Sequence, residues 1–172
     1  HPANTELRDQ FQTGNLKRQE YYEELLRLIY RLIFLFAAED RNLLHVPAAP
    51  ETARKAYIGG YSLHRLRERS VRNASLDKNI DAWEGIKALF NALADGQSAL
   101  GLVALGGLFE PQKLTNLTPL KIENKKFLKA VWHLSWFRPE GQTMTKVNWR
   151  DMETEELGSV YESLLELTPE LD

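Results

Sequence analysis

The 172-residue chain contains no cysteine, which removes disulfides, thiolate zinc sites and cysteine nucleophiles together. It has no excess of either charge, with 22 lysines and arginines against 24 aspartates and glutamates. A chain so balanced has no global attraction to nucleic acid or to an anionic membrane, so any such contact must come from a local patch. No membrane span is expected either. The charge-free part of its most apolar segment, Leu32 to Ala38, falls far short of the roughly 20 residues a bilayer needs, and Arg27 and Arg31 interrupt the run before it. The chain opens on His1 with neither an initiator Met nor an apolar leader, and it stops at LELTPELD directly behind an amphipathic pattern. Together the ends read as a piece cut from a longer polypeptide, and a cytoplasmic location is expected.

What is present is organised around YYEELLRLIYRLIFLFAAEDRNLL, Tyr21 to Leu44. Leu25, Leu28, Ile29, Leu32, Ile33 and Phe36 recur at the i, i+3, i+4 spacing of an amphipathic helix. Leu26, Tyr30, Phe34 and Leu35 widen the stripe until it wraps most of the helix, which marks a central helix covered by its neighbours. Asn15 is placed to cap its start, and Glu39-Asp40-Arg41 marks where it leaves the core.

Around this hub the sequence predicts a mainly α fold, one multi-helix bundle over 1–172. Thr5 to Thr13 reads as a short helix stopped by Gly14-Asn15. The prolines of VPAAP, 46–50, bar continuation, and Glu51 to Ile58 reads as a helix ended by Gly59-Gly60. Ser62 caps a basic helix, SLHRLRERSVRN, and a polar loop, Asn73 to Asn79, follows it. Ile80 to Leu93 is amphipathic, with Ile80, Trp83, Ile86, Ala88, Leu89, Phe90 and Leu93 on the buried side. The glycine-rich SALGLVALGGLF, 98–109, reads equally as a short packed helix or as irregular core-lining chain. Pro111 to Ile122 is turn-rich, and Glu123 to Trp136 is a further helix. Thr154 caps a last helix carrying Leu157, Val160, Tyr161, Leu164 and Leu165 on one face. Strand has room in one place, a small β-hairpin near 142–150, where Thr145 to Trp149 alternates and Pro139-Glu140-Gly141 signals a turn.

Three runs carry a resemblance that covers most of the chain. They are RLIFLFAAEDRNLL (Arg31 to Leu44), LSWFRP (Leu134 to Pro139) and LGSVYESLLEL (Leu157 to Leu167). They resemble a helical region of large bacterial proteins that carry an adenine-N6 DNA methyltransferase domain. These are type II restriction enzymes that fuse methyltransferase and nuclease in one chain, and their phage-exclusion relatives. The runs are family signatures rather than catalytic motifs. The resemblance implies a methyltransferase domain downstream, S-adenosylmethionine bound there, and any nuclease nearer the N-terminus.

Methyl transfer needs a glycine-rich turn after a strand to hold S-adenosylmethionine, and an N-P-P-Y-like loop to hold the flipped adenine. No N-P-P occurs in the chain. Gly101 to Gly107, GLVALGG, lacks the preceding strand and following helix of a cofactor loop, so its glycines read as packing. A metal-dependent nuclease would need acids and a lysine converging on an ion. Glu123-Asn124-Lys125 supplies an E-x-K, with Asp81 or Asp95 as nominal partner, yet the triplet also suits a helix start, where glutamate favours the macrodipole. His1, His45, His64 and His133 include no i, i+4 pair, which argues against zinc. His133 beside Trp132 reads as a packed helix residue, and Ser135 and Ser159 have no partnered His and Asp. No catalytic, cofactor or metal residue is assigned.

The basic helix is the functional candidate left. Arg65, Arg69 and Arg72 fall on one stripe at i, i+4, i+7, flanked by His64 and Arg67, with Leu63 and Leu66 pointing elsewhere. Such a row suits phosphates along a DNA backbone without reading sequence. The other readings are a solvated face paired locally by Glu68, and a contact with a neighbouring domain. Trp136-Phe137-Arg138 and Trp149-Arg150 invite either base stacking or core packing with arginine stems over the rings. The last helix suits packing partly here and partly on the downstream domain. The expectation is a non-catalytic scaffold and connector. Its partners would be the methyltransferase domain of the same chain and double-stranded DNA, with no membrane. The competing class is a stand-alone helical bundle that binds another protein and never meets DNA.

Overall fold

The computed structural model describes residues 4–166, in which the chain is mainly helical with one two-stranded antiparallel pair. In order these residues form α1 (Thr5–Thr13), α2 (Arg18–Asp40), α3 (Glu51–Gly60), α4 (Leu63–Ser70), α5 (Asp81–Asp95), α6 (Asn124–Ser135), β1 (Trp136–Phe137), β2 (Thr145–Lys146) and α7 (Thr154–Leu165). His1 and Leu167, the last residue of the third signature run, lie outside the described residues.

α2 is the hub, but its start and its inner face differ from the periodic reading. Leu16 is buried and holds the turn after α1, so the helix begins beyond it, with Lys17 rather than Asn15 at the cap position. The buried side includes Glu24 and Arg31 among its leucines, whereas Leu25, Ile29 and Phe34 are only half-buried. A charged residue can lie inside when fixed partners meet it, and both of these have them, as described below. α2 packs against α4, α7 and the turn at Pro111–Leu114, while α4 and α5 pack against α6. One contiguous apolar cluster results, with Leu35, Phe36, Trp83, Ile86, Leu89 and Val131 in its interior. Trp83 also finds a partner there, its indole N–H donating to the Leu120 carbonyl at 2.8 Å.

The glycine-rich run is irregular and lines the core through two short 3-10 turns, Ser98–Leu100 and Gly106–Leu108. Phe109 at its end is fully buried between Phe34 and Phe90. Gly101 has φ 63°, and a Cβ there would lie 2.6 Å from the Ala49 Cβ. Its glycine is therefore a packing requirement.

Three further elements depart from expectation. α4 stops at Ser70, whose hydroxyl donates to the Arg67 carbonyl at 2.6 Å, and Arg72 is already extended. In α5 Ala82 is buried, with its N–H on Asn124, and Ala88 is exposed. The hairpin opens earlier than 142–150. Trp136 leaves α6 in extended conformation and pairs with Lys146, Phe137 pairs with Thr145, and the Val147 N–H donates to the Ser135 carbonyl at 2.9 Å. Trp149 then buries itself, stacked on Phe36 with ring centroids 6.3 Å apart.

α7 is capped by Glu153, one residue before Thr154, in a reciprocal box with Glu156. Leu157, Val160, Tyr161 and Leu164 are half-buried, with Tyr161 on Tyr30 at 4.8 Å where the helix meets α2, whereas Leu165, expected on the same face, is exposed. Among the described residues no helix is long and apolar enough to cross a membrane.

Candidate functional site

A cleft of about 350 Å³ opens where the end of α2 meets α3 and the start of α4. Local sequence explains each wall. Pro50 starts α3, Ser62 caps α4 by accepting the Arg65 N–H at 3.2 Å, and Asn42 at φ 57° turns the chain out of α2. At the centre is Glu39. Its carboxylate accepts the Leu63 N–H at 2.6 Å, the His64 N–H at 3.0 Å and the Tyr57 hydroxyl. The first two are free donors of the α4 N-terminus, so a glutamate from another helix supplies part of that cap. Burial pushes the Glu39 carboxyl up from the ordinary carboxylate value, against three hydrogen bonds that favour the ionised form. Burial and the adjacent carboxylate push the Tyr57 hydroxyl far above its ordinary range.

Several other polar groups of the cleft are also engaged. The His45 Nδ1 meets the Leu100 carbonyl at 3.2 Å, and the His64 Nε2 pairs with Glu68 at 3.1 Å. Arg54 donates to the Val46 carbonyl at 3.3 Å. A carboxylate whose oxygens already accept three donors is held as a staple rather than presented to a substrate. Among the described residues no three His, Asp or Glu side chains form a group suited to a metal ion.

The expected phosphate row is placed as follows. Arg65 is exposed and donates to the Gly60 carbonyl at 3.3 Å. Arg69 pairs with Asp81 at 2.9 Å and is mostly covered. Arg72 lies beyond the end of α4 and sits 3.8 Å from Glu68. The stripe is therefore two helical arginines and one on the following turn, each with a partner. The E-x-K triplet serves the start of α6. Glu123 is its cap residue, and Asn124, fully buried, accepts the Ala82 N–H at 3.0 Å while donating to Asp77 and Asp81 at 2.8 and 2.6 Å. The Asn124 amide, with Arg69 adding to it, holds the Asp81 carboxyl below the usual carboxylate range.

Three charged residues were not legible as structural anchors. Glu24 accepts Thr115 Oγ1 at 3.1 Å, the Asn116 N–H at 2.9 Å, Asn116 Nδ2 at 2.8 Å and the Leu117 N–H at 3.0 Å. Arg31 donates to the Glu110 carbonyl at 2.8 Å, with its guanidinium 5.1 Å from the Phe90 centroid, and burial lowers its pKa to about 10. Arg67, grouped with the outward row by sequence, is 1% exposed with its guanidinium 4.6 Å from the Phe36 centroid. Its three nitrogens have no hydrogen-bond acceptor among the described residues. Burial lowers its pKa, while Asp40 and Glu39 oppose that shift. The signal was in the register, since Leu63, Leu66, Arg67 and Ser70 are i, i+3, i+4, i+7 and form the inner face of α4.

Of the two tryptophan–arginine runs, Trp149 packs in the core, whereas Phe137 is 48% exposed. Arg138 and Arg150 lie over no ring among the described residues, where the cation–π contacts belong to Arg31, Arg67 and Lys87. No family model, no curated protein and no solved structure matches the chain.

Proposed function

We propose that this chain is the non-catalytic helical scaffold preceding the methyltransferase domain of a bacterial adenine-N6 DNA methyltransferase polypeptide, of the restriction-modification or phage-exclusion kind. The family rests on the resemblance carried by Arg31 to Leu44. The scaffold role is supported by what that segment does within the fold. Arg31 braces the Glu110 carbonyl, Leu32 to Ala38 fill the core, and Glu39 helps to cap α4. Arg41 holds the Arg150 carbonyl at 2.9 Å and also binds the Met152 carbonyl, fixing the approach to α7. The signature thus holds helices in place and presents no reacting group. On this reading S-adenosylmethionine and the target adenine are held by the downstream domain, in the cytoplasm where the DNA is. Arg65, Arg69 and Arg72 each hold a partner within the fold, so a phosphate contact through them would require that partner to be given up.

The test is transfer of a labelled methyl group from S-adenosylmethionine to DNA. The isolated chain should transfer none, and the longer polypeptide should lose transfer when the region is deleted. Methylation or cleavage of DNA by the isolated chain would overturn the reading. A protein-binding bundle that never meets DNA is the second reading, favoured by Ile58 at the cleft and Leu43 beside it, which are 57% and 61% exposed.

A further inference from the structure

The charge balance of the whole chain conceals a strong local imbalance. Residues 121–150 contain seven lysines and arginines and two glutamates, whereas 151–172 contain eight acidic residues and no lysine or arginine. The basic block folds into α6 and the hairpin behind it. α6, NKKFLKAVWHLS, has no acidic residue. Its inner side, with Phe127, Leu128 and Val131, is buried, which leaves Lys125, Lys126 and Lys129 exposed on the other. Lys125 and Lys129 are one turn apart, about 6 Å along the axis. The hairpin extends the surface. Arg138 is exposed, and Lys146, the strand partner of Trp136, borders a shallow depression of about 300 Å³ together with Arg150 and Asp40.

What distinguishes this surface from α4 is the state of its cations. Among the described residues Lys125, Lys126, Lys129, Arg138 and Lys146 form no salt bridge. On α4 Arg69 is tied to Asp81, Glu68 faces both His64 and Arg72, and Arg65 meets the Gly60 carbonyl rather than a carboxylate. An arginine already paired must give up its carboxylate before it can meet a phosphate, and the exchange gains little. Unpaired lysines in a row meet a polyanion with no such loss and release its condensed counterions. Phe137, half-exposed at the end of the row, adds a ring on which a base can stack.

We propose that the outer face of α6 and the adjoining hairpin form a contact surface for the phosphodiester backbone of a nucleic acid. The proposal gives the scaffold a side that faces DNA, and it rests on that reading only for identifying the nucleic acid as DNA. Contacts of this kind position a strand and carry no sequence preference.

Fluorescence anisotropy of the full chain with a labelled 20-mer, as duplex and as single strand, over a salt series tests it. Binding should weaken steeply with salt. The exposed triple variant Lys125→Gln, Lys126→Gln, Lys129→Gln should lose about tenfold or more in affinity and flatten the log–log salt slope by about 2–3. Circular dichroism should show that variant folded, and the variant Arg65→Ala, Arg69→Ala, Arg72→Ala should bind within about twofold of wild type. Preference for the single strand, reduced by Phe137→Ala, would assign the ring to stacking, and either form binding in this lysine-dependent way supports the surface. Three results overturn it: flat traces even at low salt, loss confined to the α4 variant, or displacement by poly-glutamate as effective as by oligonucleotide. The last would identify an acidic protein as the partner. Flat traces would leave the scaffold reading standing, and methyl transfer by the isolated chain would sink the scaffold reading while leaving this surface intact.

Discussion

The Glu39 carboxylate accepts the Leu63 N–H at 2.6 Å, so the last turn of one helix completes the cap of another that begins 24 residues beyond Glu39. Glu24, near the opposite end of α2, does the same for the turn at Thr115 to Leu117. Between them Arg31 reaches the Glu110 carbonyl. The hub therefore orders the bundle through three charged contacts as well as through its apolar sides, and each ties α2 to a segment far away in sequence.

Glu39→Ala should destabilise the chain by about 2–3 kcal/mol, because it strands two helix N-terminal donors and a buried hydroxyl. Tyr57→Phe alone should cost about 1 kcal/mol and very little in the Glu39→Ala background, since the hydroxyl has then lost its acceptor. Urea unfolding of the four proteins measures both. Additive losses would mean that the pair is not coupled.

Acid and neutral pH should separate two carboxylates. Asp81 is held below its unfolded value of about 3.9, so its contribution is present above that pH and is lost as pH falls through the folded value. Asp81→Asn should remove that acid-side loss. Glu39 is raised above its unfolded value of about 4.3, so the unfolded chain ionises first and stability falls as pH rises from there to the folded value. Glu39→Gln should abolish this fall. Melting temperatures between about pH 2.5 and 7 would show both changes, and parallel curves for wild type and Glu39→Gln would refute the second.

Arg67 is buried with its guanidinium over Phe36 and its nitrogens without acceptors. Its stem packs, but its charge is uncompensated by hydrogen bonds. Arg67→Met keeps the stem and should leave stability unchanged or raise it by about 1 kcal/mol or more. Arg67→Ala removes the packing as well and should lower stability. A loss above about 1 kcal/mol in the methionine variant would show that the guanidinium is satisfied in solution.

Periodicity located nearly every helix here because most were recognisable from one apolar side. It failed where a polar group entered the core. Arg31 and Glu24 interrupt an apolar stripe, and nothing local announces that a carbonyl at Glu110 or an amide at Leu117 will meet them. Arg67 misleads for the same reason, since its charge suggests solvent while its register with Leu63 and Leu66 points inward. The hairpin begins before its turn signal because Trp136 continues the helical pattern of α6, and only the distant partner Lys146 draws it into a strand. The lysines of α6 were visible, but their lack of partners is a property of the folded surface.

Two glycines provide the sharpest contrast between local preference and packing. Gly60 lies in the last turn of α3 with ordinary φ and open space around it. Gly60→Ala should stabilise by about 0.4–1 kcal/mol by reducing the freedom of the unfolded chain. Gly101 has φ 63° and would place a Cβ 2.6 Å from the Ala49 Cβ, with its own carbonyl accepting the Val46 N–H at 2.9 Å. Neither the backbone nor the methyl of Ala49 can yield without disturbing that bond, so Gly101→Ala should cost about 1–3 kcal/mol. Chemical unfolding of the two variants should therefore move in opposite directions from wild type. If both stabilise, the close approach of 46–49 to Gly101 is absent in solution.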